Sequence, residues 1–459
     1  MSRQKKKLTY EKKTVYEKVP AEVVARAKEY AKGYMSFLDA TKTEREGVGK
    51  SIRMAEAAGY RPYTFGAPMK AGDKFYYNNR GKTICLFRIG TESVENGIRI
   101  TAAHLDSPRL DLKQVPMYEE DGICYFKTHY YGGIRKYQWL TTPLALHGVV
   151  ITESGETLEI CIGEDAADPI FYITDLLPHL ASSQNEKTLS KAFVGEKLNV
   201  VVGSEPLAGE DKNAVKANIL NLLYEKYGFT EEDFLSAELC LVPAGLARDA
   251  GFDRSMICAY GHDDRVCAYP SITAMLENDD TTHTTMCILV DKEETGSDGV
   301  TGIKSHLILD LISEIARAMG GNEAAVRANS KCLSSDVAAA FDPNYADVYE
   351  HRNSSLLGCG VSICKFTGSR GKSGTSDASA EMMGWVRRCF NAEGVVWQTC
   401  EMGRVDAGGG GTVAKYLANH NIDTLDVGVG VLSMHAPYEL ISKVDLYEAY
   451  RAFCAFYRY

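Results

Sequence analysis

Two glutamates stand side by side in ILVDKEETGS, residues 288–297, where an apolar run stops. Like charges repel at that distance, and among their neighbours only Lys292 could balance Glu293 and Glu294. Other polar residues recur beside apolar runs. His104 and Asp106 follow IRITAA, Asp263 and Asp264 precede the helical RVCAYPSI, Asp336 follows CLSS, and His435 follows VGVGVLSM. Each has an ordinary reading by itself, since an aspartate pair can cap a helix and a lone histidine can be a satisfied core residue. Collected on one rim, they would concentrate negative charge that burial makes costly, so protons or cations must accompany them.

A pair of divalent cations meets that demand with few parts. Mixed imidazole and carboxylate donors suit zinc, manganese or cobalt, whereas magnesium and calcium favour oxygen alone. Two metals about 3.5–4 Å apart call for a bridging carboxylate and a terminal ligand or two each, which this inventory can supply. Successive side chains of an extended segment point opposite ways. One glutamate of the pair can therefore hold a metal while the other faces the attacking water as general base. Asp106, two residues beyond His104, is placed to orient that imidazole through its other nitrogen.

The elements that must position these residues follow from periodicity. Residues 20–60 read as helical, YYNNRGKTICLFRIG as a turn feeding a strand, and NGIRITAAHLDSP as a strand ending in polar residues. YEEDGICYFKT and VVITESGETLEICIG each read as strand, tight turn, strand, with one helical stretch, KNAVKANILNLLYEKYG, further on. After about residue 250 strands and helices alternate: TTMCILV, then SHLILDLISEIARAMG, then VSICKF, VVWQT and TLDVGVGV, separated by helices near 377–390 and 411–420. The last helix, SKVDLYEAYRAFCAFYRY, begins with Ser442 and Asp445 in a capping-box pattern. This predicts an α/β fold, with a mainly parallel sheet flanked by helices formed by residues 1–109 and 250–459, interrupted by a β-rich insertion at 110–249. In such sheets ligands bind at the carboxyl ends of strands, where the polar residues above fall.

A chain of 459 residues with 45% hydrophobic residues can build two or more cores. Its net charge of −10 argues against nucleic acid or an anionic membrane as partner. The basic start MSRQKKKLTYEKK has no apolar segment behind it, and no apolar stretch approaches membrane-spanning length, so a cytoplasmic location is expected. The 13 cysteines show no C-x-x-C pair and read as reduced, mostly buried thiols rather than a disulfide framework or zinc knuckle.

AAHLDSPRLDLK, YYGGIRKYQWLTTPLALHG, GHDDRVCA, DKEETGS, SSDVAAAFDPN, GGGGTVAKYLA and SMHAPYE, taken in order, resemble the M18 metallopeptidases, the aspartyl aminopeptidase and aminopeptidase I group. The resemblance implies a zinc-peptidase α/β domain interrupted by a β-rich lid and dimerisation domain. It also implies hydrolysis of N-terminal residues from peptides by a water that two divalent metal ions activate, zinc before cobalt or manganese. Under it, His104 and Asp336 resemble ligands of one metal and Glu294 and His435 ligands of the other. Asp263 takes the bridging place, in a pair that family members commonly read Asp-Asn, and Glu293 that of the general base. Family members commonly assemble into a tetrahedral dodecamer. KFTGSRGKSGTSDASAE departs from the Asn-Gln-Arg-Tyr-Ala type of stretch in the aspartyl enzymes, so acidic specificity is not implied. Lys372 within it reads as a solvated loop lysine or as a partner for a substrate carboxylate. LLPHLASSQ keeps His179, the lid histidine of the aspartyl enzymes, but has Ser183 at a second histidine position. The chain looks closer to the bacterial aminopeptidase branch.

Rival readings have less to stand on. GKSGT lacks a P-loop's first glycine, with Phe366 in its place. The run at 408–411, with Gly409 and Gly410 at its centre, could present amides to an anion or form a tight turn. There is no H-E-x-x-H and no G-x-S-x-G. A related co-catalytic carboxypeptidase or deacylase, and a non-catalytic shell protein that retains the fold, stay open as alternatives.

Overall fold

The computed structural model describes residues 8–459; the basic start MSRQKKK lies outside the described residues. Nine strands form the largest sheet. Its centre is four neighbouring parallel strands, Thr284–Val290, Ile98–His104, Lys331–Ser334 and Asp423–Gly428. On one flank lie Thr83–Arg88, Lys74–Asn79 and Arg61–Pro62, and on the other Val361–Cys364 and Trp397–Thr399. Thr83–Arg88 pairs antiparallel with Thr284–Val290, and Val361–Cys364 does so with Asp423–Gly428. The sheet is thus mixed around a parallel centre.

Every residue of Thr284–Val290 and Ile98–His104 is buried, as expected where both faces are covered. Side chains alternate between two cores. Ile98, Ile100 and Ala102 join Met286, Ile288 and Val290 on one face, while Ala103, Cys287 and Leu289 join the other. The first face is covered by Leu307–Ala318, whose buried Ile308, Leu311, Ile312, Ile315 and Ala316 follow the helical i, i+3, i+4, i+7 spacing. The second packs against the helices His262–Glu277 and Lys443–Arg458.

Six strands between residues 109 and 243 form a separate antiparallel sheet around Trp139, Phe126 and Phe234, with the helix Ala214–Tyr227 beside it. Both hairpins read from the sequence belong to it, Arg109–Glu120 with Ile123–Tyr131 and Leu144–Ile151 with Thr157–Ile162. A third, five-stranded sheet collects short segments, including Met256–Ala259, Gly430–Leu432 and Glu439–Ser442.

Several local expectations are corrected. The 20–60 helix is two helices, Ala21–Asp39 and Glu44–Ala57, the second begun by a capping box of Thr43 and Glu46. Lys74–Asn79 and Thr83–Arg88 form a hairpin instead of a turn feeding one strand. Ser442 makes no side-chain cap; Asp445 instead accepts the N–H groups of Gly358 and Gly360, both at 2.7 Å, and so ties the last helix to a distant loop. TLDVGVGV divides between two sheets, Asp423–Gly428 in the first and Gly430–Leu432 in the third, and a side chain at Gly428 would stand 1.7 Å from the Asp336 carbonyl oxygen. Cys364 and Cys400 form a disulfide, with Cα atoms 5.1 Å apart, where two parallel strands meet. The other 11 cysteines are free and mostly buried.

Candidate metal centre

His104 is the last residue of its parallel strand, and Glu293 and Glu294 lie just beyond the end of its neighbour. These two are not in an extended segment. Lys292 adopts a left-handed conformation (φ 69°), and Glu293–Thr295 then form a 3-10 turn that aims both carboxylates at the sheet rim. Asp336 follows Lys331–Ser334, where the absent side chain of Gly428 leaves room for its backbone. Asp263 follows left-handed Gly261, its peptide bond to Asp264 is cis, and His435 sits in a left-handed turn (φ 65°) between two strands of the third sheet.

These elements bring His104, Asp263, Glu293, Glu294, Asp336 and His435 into one cluster. His104 Nε2 lies 3.2 Å from Asp263 Oδ1, and His435 Nε2 lies 3.1 Å from Asp263 Oδ2. Asp263 therefore offers one carboxylate oxygen to each imidazole. His104 Nε2 is also 4.0 Å from both Glu293 Oε2 and Asp336 Oδ1, while His435 Nε2 is 3.7 Å from Glu294 Oε1. Potential ligand atoms fall within 4.8 Å of one another in three overlapping triplets: His104, Glu293 and Asp336; His104, Asp263 and Glu294; and Asp263, Asp264 and Asp336.

Both imidazoles are oriented from behind. Nδ1 of His104 faces the Asp106 carbonyl oxygen at 2.9 Å, and Nδ1 of His435 faces that of Gly133 at 2.7 Å. A carbonyl only accepts, so each Nδ1 carries a proton and each Nε2 is the nitrogen left facing the cluster. The Asp106 carboxylate lies farther from His104 Nδ1, at 3.4 Å, and chiefly accepts elsewhere. It takes the N–H groups of Glu293 and Glu294, both at 3.2 Å, and the Tyr131 hydroxyl at 2.8 Å. Glu439 supports the other side, its two oxygens accepting the N–H groups of Asp263 at 3.0 Å and His435 at 2.7 Å.

The charge balance is strained without cations. Burial pushes the Glu293 carboxyl up to about 7 despite the opposing pull of His104. Burial also raises Glu294, Asp336 and Asp264 well above the carboxylate range. Burial would raise Asp263 as well, but its contacts with His104 and His435 lower it. Burial pulls His435 down, yet Asp263 and Glu294 carry it up to about 10, and His104 rises likewise through Asp106 and Asp263. On protein charge alone the cluster is balanced by shared protons. Divalent cations would replace those protons and restore ionised carboxylates and neutral imidazoles. Asp263 Oδ1 and Glu294 Oε1, buried and without hydrogen-bond partners, are donors that such ions would satisfy. The residues present fit a metal centre of mixed nitrogen and oxygen ligands.

The remaining candidates sit apart from this cluster. Lys372 pairs with Asp377 at 2.8 Å and lies over the Phe366 ring at 3.9 Å. Gly409 packs so closely that a side chain would come within 2.1 Å of the Gly368 carbonyl oxygen, and the Gly410 carbonyl accepts the Gly368 N–H. This is the tight-turn arrangement. His179 lies in the exposed turn Pro178–Leu180. Tyr131, Gly133 and Glu439 were not singled out in the sequence, although YYGGIRKYQW and SMHAPYE contain them; the H-x-x-x-E spacing of His435 and Glu439 is the one local signal.

Comparison with known proteins identifies the family to which the whole chain belongs. Residues 37–457 match the M18 family described as "Aminopeptidase I zinc metalloprotease (M18)". A Clostridium acetobutylicum protein named "Probable M18 family aminopeptidase 1" is 51% identical over 92% of this chain and 93% of its own length. The crystal structure of an M18 aminopeptidase from Thermotoga maritima superposes with a TM-score of 0.92 at 43% identity, covering 98% of this chain and 99% of that one. The S. cerevisiae mApe1 dodecamer, 18% identical with a TM-score of 0.76 over 94% of this chain and 96% of that one, shares the fold. The match over nearly the whole length, together with this level of identity, makes the chain a member of the M18 family of zinc metalloproteases, an aminopeptidase by its kinship.

Proposed function

We propose that this aminopeptidase removes N-terminal residues from peptides at a centre of two divalent cations, zinc first and cobalt or manganese as alternatives. His104 and Asp336 would hold one ion and Glu294 and His435 the other, with Asp263 as a ligand available to both. One observation carries the assignment: each carboxylate oxygen of Asp263 meets a different imidazole, at 3.2 and 3.1 Å. Bound there, the ions supply Lewis acidity and favour ionisation of water near neutral pH.

The protein's own groups do the rest. Glu293 is the general base, at the cluster's edge, with its side chain 18% exposed against 3% for Glu294. It accepts a proton from the attacking water and returns it to the departing amine. Asp106 holds the turn that carries Glu293 and Glu294 through their backbone N–H groups. The six-stranded sheet of the inserted residues 110–249 serves as lid and self-association surface. A tetrahedral dodecamer is the assembly we favour, because mApe1, with the same fold, is a dodecamer. We favour a cytoplasmic location, which the 11 free cysteines support and the Cys364–Cys400 disulfide does not. Lys372 and His179, outside the cluster, are candidates for substrate contacts in the assembly rather than for catalysis.

Aminoacyl para-nitroanilides, N-acylated peptides and peptides with free carboxyl ends, each assayed with zinc, cobalt and manganese, test the reading. Release of N-terminal residues from unblocked substrates alone is expected. Cleavage that requires the free carboxylate, or deacylation, would overturn it in favour of a related metal hydrolase.

A further inference from the structure

The mechanism leaves unexplained why the second sheet reaches into the metal centre. Tyr131 ends the strand Ile123–Tyr131 of that sheet, yet its hydroxyl donates to Asp106 Oδ2 at 2.8 Å. This is shorter than either backbone contact to the same carboxylate, both 3.2 Å. Asp106 is 0% exposed with the hydroxyl in place, so the carboxylate depends on protein donors. The ring itself is pinned. The Arg109 guanidinium lies 4.1 Å from its centroid, and Arg109 is fixed in turn by Glu44 and Asp111, each at 2.7 Å. The next residues continue over the cluster: a side chain at Gly132 would stand 3.1 Å from Glu294 Oε2, and the Gly133 carbonyl receives His435 Nδ1.

Through one carboxylate, then, Tyr131 bears on the backbone of both glutamates and on the His104 side of the centre. A carboxylate restrained only by two long N–H contacts can rotate, and the turn it holds can shift with it. Small displacements of a general base are costly, because proton transfer demands hydrogen-bond geometry. Resting on the aminopeptidase reading above, we propose that Tyr131 is a positioning residue for hydrolysis. Its hydroxyl locks Asp106, and Asp106 locks the Glu293–Glu294 turn, so that the seating of the second sheet sets the geometry of the general base.

Tyr131→Phe keeps the ring and its contact with Arg109 and removes only the hydroxyl. In the full-length, metal-loaded protein kcat should fall roughly tenfold or more, the scale for losing an outer partner of a metal site. KM, unfolding temperature and, at saturating metal, metal content should stay close to wild type. In an Asp106→Asn background the same substitution should have no further effect on kcat, because the group through which it acts is already altered. A structural role for Tyr131 would instead lower stability and multiply with the Asp106 change. Unaltered kcat in Tyr131→Phe, loss of metal from it, or multiplicative effects in the double variant would each overturn the proposal. A wild-type protein that leaves peptides intact with all three metals would overturn the reading of the site and this coupling together. Normal wild-type turnover with an unaffected Tyr131→Phe overturns the coupling alone.

Discussion

Glu293→Gln separates proton transfer from metal binding. The amide is nearly isosteric with the carboxylate, and the Glu293 N–H that donates to Asp106 at 3.2 Å is untouched. The five remaining cluster residues keep their positions, including the Asp263 bridge between His104 and His435. What is lost is a group that can accept a proton. General-base catalysis is worth about 10²–10⁴-fold, or about 2.7–5.5 kcal/mol of barrier. Steady-state kinetics on an aminoacyl para-nitroanilide should therefore show kcat reduced at least a hundredfold, on the order expected for a lost general base. KM and metal content, measured beside it, should hardly change. The pH profile supplies a second test. Burial foremost pushes the Glu293 carboxyl up to about 7, and bound cations would draw it lower. A base acts when deprotonated, so wild-type kcat/KM should rise with pH through a limb at or below about 7, and that limb should vanish in Glu293→Gln. Activity near wild type would refute the role of Glu293; activity lost in step with metal would show that Glu293 is a ligand.

Three other perturbations reach different parts of the structure. Asp263→Ala removes the carboxylate shared by both imidazoles, and elemental analysis should find metal content far below wild type; full occupancy would count against the bridge. Reducing Cys364–Cys400, whose sulfurs close a 36-residue separation, should lower the unfolding temperature, since a loop of that length is worth about 3–4 kcal/mol of chain entropy. Cys364→Ser should be insensitive to reductant. His147 lies between Glu46 at 2.8 Å and Glu164 at 3.1 Å. Burial pulls its pKa down, but the Cys161 thiol, Glu164 and Glu46 outweigh it and carry it up to about 11. The folded value is above the unfolded one, so its stabilisation is complete below the ordinary histidine value of about 6.5 and is lost as pH rises toward about 11. Denaturant unfolding of His147→Gln should show a shallower alkaline loss of stability than wild type.

The residues that cluster were legible because they follow apolar runs, and a parallel sheet gathers the ends of its strands along one rim. That logic needs only periodicity and chain direction, so it reached His104, Glu293, Glu294 and Asp336 directly. It was less sound for the double glutamate. Opposite pointing was expected from an extended backbone, whereas a 3-10 turn after left-handed Lys292 brings both carboxylates to the same rim. The tie between Cys364 and Cys400 was hidden for a related reason. Strand spacing gives faces, but which strands become neighbours depends on a connection of dozens of residues.

The residues behind the cluster mark the deeper boundary of sequence reading. Glu439, 176 residues from Asp263, joins that residue to His435, and Tyr131 brings a strand of another sheet to Asp106. Tyr131 carries no pattern of its own, and Glu439 only its H-x-x-x-E spacing from His435, because a hydrogen-bond partner behind such a residue needs only to be in reach, whatever element supplies it. Residues proposed to meet ions are constrained in type by coordination chemistry, while those that hold such residues are constrained in place by the fold. A centre whose ligands can be read from strand ends can therefore owe its rate to residues that only the folded chain reveals, and Tyr131 is the residue at which that distinction can be measured.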